Sequence, residues 1–111
     1  MVDLISFAPK GAVYVKSDGP APDRDVIDAA GYQTLDLVLT ALTLNGTMLV
    51  RLETALTLDA LAWQSLGVFT PLVAAGASDR RSFPGVLRYV RWRVETLTGG
   101  DAAFTLAGTA R

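Results

Sequence analysis

Cysteine and histidine are both absent from this chain of 111 residues. Without cysteine there is no disulfide framework, no thiolate chemistry and no Cys-zinc site, and the redox compartment leaves no mark. Without histidine, the usual general base near neutral pH and the commonest metal ligand are missing. Glutamate occurs only twice, as Glu53 and Glu95. Neither sign of charge dominates: 10 Lys and Arg stand against 11 Asp and Glu, for a net charge of -1. There is thus no global pull toward nucleic acid or an anionic membrane. No apolar run approaches the roughly 18 residues of a membrane span. The stretch Met1–Phe7 has neither a basic region nor a long apolar one, so no signal peptide is read there. Synthesis in a cytoplasm is the expectation.

What is present is half hydrophobic by composition, enough for one domain with one core. Tyr89-Val90-Arg91-Trp92-Arg93-Val94-Glu95 alternates strictly. Val90, Trp92 and Val94 point one way, and Tyr89, Arg91, Arg93 and Glu95 the other, as in a half-buried β-strand. From Tyr32 to Leu44 the same period puts Leu35, Leu37, Leu39 and Ala41 on one face. The opposite face (Asp36, Val38, Thr40, Leu42) is also fairly apolar, which predicts a strand covered on both sides.

Asn45-Gly46 predicts a type I′ hairpin turn, joining Tyr32–Leu44 to a strand over Thr47–Thr57 and setting Leu42 opposite Leu49. Gly99-Gly100-Asp101 predicts a second hairpin, into a final strand over Ala102–Thr109 with Phe104 and Leu106 inward. Short strands are expected at Gly11–Lys16, Val26–Ala30 and Val68–Val73. Ser17–Asp23 and Ala74–Asp79 are expected to be loops, and Arg80–Phe83 to lead into a Pro84-Gly85 turn. Leu58–Gly67 fits a helical turn or another strand. Seven or eight short strands with frequent turns and no long helix indicate an all-β chain, an antiparallel β-sandwich or jelly roll. An open barrel or a small α+β fold are the alternatives. Residues 1–31 form an N-terminal arm with short strands, and residues 32–111 the sandwich core.

Little here carries chemistry. The serines have no histidine to activate them and none sits in a Gly-x-Ser-x-Gly elbow. No Gly-rich phosphate loop is present. Asp18, Asp23, Asp25 and Asp28 lack the ligand alternation of a calcium loop and read as a solvated acidic segment. Glu53 and Glu95 lie in strands beside arginines, so cross-strand ion pairs are expected. The expectation is a protein that is not an enzyme and uses no cofactor or metal. Charge is uneven, however. Residues 1–40 hold six acids and three bases, whereas residues 80–94 hold five arginines and no acid. Such a division suits contact between copies.

The C-terminal half resembles small β-sandwich structural proteins of tailed phages and prophages. The resemblance runs through Leu49-Val50-Arg51-Leu52-Glu53-Thr54, Trp63-Gln64-Ser65-Leu66-Gly67-Val68-Phe69, Arg80-Arg81-Ser82-Phe83-Pro84-Gly85, Arg88-Tyr89-Val90-Arg91-Trp92-Arg93 and the closing Thr98-Gly99-Gly100. It covers about 60 of the 111 residues. Similar chains tend to carry Ser-x-Asp-Gly-x-x-Trp before the tryptophan. Here Asp59 and Trp63 remain but the glycine does not. The resemblance implies a virion component, such as a capsid decoration or small head or tail protein. Its partners would be copies of itself and a capsid or tail protein, with no nucleic acid or membrane. The interface expected from the residues is Arg80, Arg81, Arg88, Tyr89, Arg91 and Arg93. The alternative reading is a carbohydrate-binding module using Asp59, Trp63 and Trp92, which requires at least one bare tryptophan face.

Overall fold

A computed structural model describes residues 2–8, 11–59 and 61–111. The described residues form ten strands: β1 (Asp3–Ser6), β2 (Val13–Val15), β3 (Gly19–Pro20), β4 (Ile27–Asp28), β5 (Thr34–Thr43), β6 (Met48–Ala55), β7 (Gln64–Val68), β8 (Ser78–Pro84), β9 (Tyr89–Leu97) and β10 (Ala102–Ala110). One 3₁₀ turn, Asp23–Asp25, stands between β3 and β4. No helix among the described residues is long and apolar enough to cross a membrane.

Two antiparallel sheets pack face to face. In the first, β10 lies between β5 and a broken row made of β1 and β2, and β8 flanks β5. In the second, β9 lies between β6 and a broken row made of β3 and β4, and β7 flanks β6. With each broken row counted as one strand, eight rows in chain order run 1-8-3-6 in one sheet and 2-7-4-5 in the other. That order is a jelly roll. The fold class read from the sequence is therefore the one observed. The described part of segment 1–31 supplies β1 to β4, which pair along an edge of both sheets.

The core is built by the two alternating stretches read from the sequence. Leu35, Leu37, Leu39 and Ala41 of β5 are buried, as are Phe104 and Leu106 of β10 and Val90, Trp92 and Val94 of β9. Two edge-to-face aromatic pairs span the layers. Trp92 meets Phe104 at 5.4 Å and 88°, and Phe69 meets Phe83 at 5.0 Å and 65°. Such pairs add about 1 kcal/mol each beyond their buried area.

Several local expectations are corrected. Asn45-Gly46 is not a type I′ hairpin turn. Strands β5 and β6 belong to different sheets, and among the described residues no non-glycine residue, Asn45 included, has positive φ. Leu42 therefore does not face Leu49. Gly99-Gly100-Asp101 likewise joins β9 to β10 across the sandwich. The two crossings run against each other: the Thr98 amide donates to the Thr47 carbonyl at 2.9 Å, and the Thr47 amide to Thr98 Oγ1 at 2.9 Å. A Cβ on Gly46 would strike the Thr98 carbonyl, and one on Gly99 the Asn45 carbonyl. These glycines serve close backbone approach.

The second face of β5 is not covered, since Val38 and Leu42 are exposed. Of the two readings for Leu58–Gly67 the strand is present as β7, preceded by one turn in which the Ala62 amide donates to the Asp59 carbonyl at 3.0 Å. Val68–Val73 is not a strand of its own. Val68 closes β7, and Leu72 forms a single bridge with Met48. The expected loops at Ser17–Asp23 and Ala74–Asp79 contribute β3 and the start of β8. Arg80–Phe83 lies within β8, which pairs along β5.

Candidate interaction faces

The alternation of β9 puts Tyr89, Arg91, Arg93 and Glu95 on the outer face of the second sheet, and that of β6 adds Arg51 and Glu53. Register sets Arg51 beside Arg93 and Glu53 beside Arg91. Arg91 Nε donates to Glu53 Oε1 at 2.8 Å, and an Arg51 guanidinium nitrogen donates to Glu53 Oε2 at 3.0 Å. Arg51 also meets Glu95 at 2.7 Å. The result is a neutral row, Arg91–Glu53–Arg51–Glu95, with signs alternating. Glu53 is only 4% exposed. Trp63, arriving from the β6–β7 connection, roofs the row with its ring 4.3 Å from the Arg91 guanidinium. The cross-strand ion pairs expected for both glutamates are thus present. Arg51 and the roofing role of Trp63 were missed, because both depend on which strand lies next to β9.

Of the six residues expected to form one interface, Tyr89, Arg91 and Arg93 share the outer face of the second sheet, and Arg80, Arg81 and Arg88 lie elsewhere. Arg91 is committed to Glu53. Arg88 meets Asp28 at 3.3 Å and lies over the Tyr89 ring at 4.9 Å. Arg80 and Arg81 belong to β8 of the first sheet and alternate across it. Arg81 approaches Asp79 at 3.6 Å. Arg93 and Arg80 make no ion pair with the described residues.

The residues of the alternative ligand face are also separated. Trp92 is 3% exposed and packs inward on Phe104, so it offers no face to a sugar. Trp63 lies over the opposite face of the same sheet. Asp59 accepts the Leu61 amide at 3.0 Å. Near Trp92, a hollow of about 470 Å³ is lined by Phe7, Val13, Tyr14, Pro22 and Arg24. Trp92 itself lines this hollow, and its buried indole N–H has no hydrogen-bond acceptor among the described residues. Among the described residues, no group of three acids could hold a metal ion.

Two carboxyls are held below their ordinary value. For Asp28 the chief cause is the Ala30 amide, followed by Arg88. For Asp36 the Ser82 hydroxyl leads, followed by Arg111. A depressed folded-state pKa contributes stability that is complete above the unfolded value of 3.8 and is lost as pH falls through the folded value. Asp36→Asn is therefore expected to narrow the gap to the parent as acid is added. Thermal melts from about pH 5 to about pH 2 check this. A gap unchanged across that range would show that Asp36 contributes nothing through its charge.

No protein-family model matches the chain, and no curated protein matches it. Among solved structures it is similar to YomS, a protein derived from the SPBc2 prophage, with a TM-score of 0.59 at 10% identity. The match covers 98% of this chain and 93% of that one. At this identity the likeness is one of fold.

Proposed function

We propose that the chain is a non-enzymatic structural protein of a phage-like particle, a capsid decoration or small head or tail component that acts through protein–protein contacts. The observation that carries this reading is the shared fold, which runs over nearly the whole length of a prophage-derived protein. The surface chemistry supports it. A dense charge cluster on the second sheet is a neutralised row roofed by tryptophan, an arrangement that stiffens a sheet. The β6–β7 connection carries Leu56, Leu58 and Leu61, which are 66%, 62% and 94% exposed. Exposed apolar side chains gathered in one loop mark contact sites.

The test is to purify particles on a density gradient from a lysate of the strain that encodes the chain, and to quantify the chain by mass spectrometry in each fraction. The expected result is co-sedimentation at a fixed ratio to the major shell or tail protein. Recovery only from the free-protein fractions would overturn the proposal.

A further inference from the structure

The outer face of the first sheet is unlike that of the second. It carries no roof. Leu4 and Tyr14, on the broken edge row, are 87% and 82% exposed, and Leu42 and Val38 of β5 are 50% and 41% exposed. Register places Ser6, Ala107, Val38 and Arg80 side by side across all four rows. Between the large residues the face is mostly alanine, serine and threonine. Its outward strand positions hold one acid, Asp36, and one base, Arg80, and Arg111, just past β10, reaches Asp36 at 3.1 Å. Depletion of charge with exposed aromatic and aliphatic groups is what the centre of an interface shows.

We propose that this face is a self-association surface on which a second copy of the chain packs, sheet against sheet. Three features single out a second copy. The first is charge. Asp36 pairs with Ser82, and Val38 with Arg80, so the acid and the base sit on one diagonal between the last two rows of the face. A two-fold axis in the contact plane that bisects this diagonal sets each Asp36, which its own Arg111 reaches at 3.1 Å, opposite the other copy's Arg80, so that each acid lies between two bases. An isologous contact requires such self-complementarity. The second is size. Four rows of about nine residues span roughly 600 Å², close to the roughly 800 Å² per partner of a stable interface. The third is the small side chains between Leu4, Tyr14, Val38 and Leu42, which leave room for the opposing copy's large ones to interdigitate as in a sandwich core. The proposal rests on the assembly reading above and names the surface through which copies meet.

Light scattering coupled to size exclusion, on the full chain at about 100 µM, tests it. The expected result is a dimer, or a multiple of one, with dissociation strengthened at least roughly tenfold relative to the parent in Val38→Glu. The exposed position of Val38 keeps that variant folded, which circular dichroism checks. Arg80→Asp alone is expected to weaken the dimer, because it sets two acids against each other across the axis while Asp36 keeps its Arg111 partner within the chain. A parent mass retained by Val38→Glu would overturn the inference, because copies would then meet elsewhere. A parent that stays monomeric would also overturn it. If Val38→Glu then failed to co-sediment with particles, the face would belong to a shell or tail protein, and the particle reading would stand without self-association.

Discussion

Gly99→Ala is expected to lower the melting temperature by roughly 12 °C, from a loss of about 3 kcal/mol. Two costs add. The residue has φ +81°, a conformation that costs an L side chain about 1–2 kcal/mol. Its new Cβ also meets the Asn45 carbonyl, which belongs to the β5–β6 crossing. That crossing is held by the Thr47–Thr98 hydrogen bonds, so it yields only by breaking them. Gly76→Ala isolates the first cost, since Gly76 has φ +85° with open space around it. Equal losses in the two variants would show that the contact between the crossings contributes nothing.

Arg91→Glu is expected to destabilise the chain by about 3–5 kcal/mol, in the range for a buried charge that loses its partner. The substitution puts a carboxylate against Glu53, whose burial denies it the solvent that would screen the repulsion. Arg51 remains to neutralise one of the two. Arg93→Glu is the contrast. Arg93 has no ion-pair partner among the described residues, and register sets the new acid beside Arg51. A change within about 0.5 kcal/mol is expected. Urea denaturation of both variants decides the matter. If Arg91→Glu unfolds with Arg93→Glu, the row is ornamental to stability. The pair also sorts any assembly phenotype: loss of assembly in Arg91→Glu reflects folding first, whereas loss in Arg93→Glu reflects a contact.

What the sequence revealed follows from the range over which each signal acts. The inward faces of β5 and β9 were legible because period-two alternation is a local property, and Leu35, Leu37, Leu39, Val90, Trp92 and Val94 obey it. Strand β8 was not, because Asp79-Arg80-Arg81-Ser82 at a sheet edge is solvated on several sides and shows no alternation. Asn45-Gly46 misled because glycine answers two demands, positive φ and close approach, and only the second applies here. The assignment of strands to sheets is set by partners tens of residues apart. For the same reason the arginines were visible as a run, while their division between two sheets was not. The pairing of Arg91 with Glu53 is a matter of register, and register is not written in either strand alone.

The position of β10 bears on how the protein is made. This strand lies between β5 and the β1–β2 row, yet it is synthesised after every other strand described. Until residue 110 has been synthesised, Leu35, Leu37 and Leu39 lack the neighbouring strand that completes their sheet, and β1 and β2 have no partner at all. The first sheet therefore closes only once all the other strands described have been synthesised. Non-local pairing of this kind slows folding and leaves apolar strands open to aggregation meanwhile. A nascent chain stalled before β10 is expected to need holding by chaperones, and high-level expression to favour inclusion bodies over soluble protein unless synthesis is slowed.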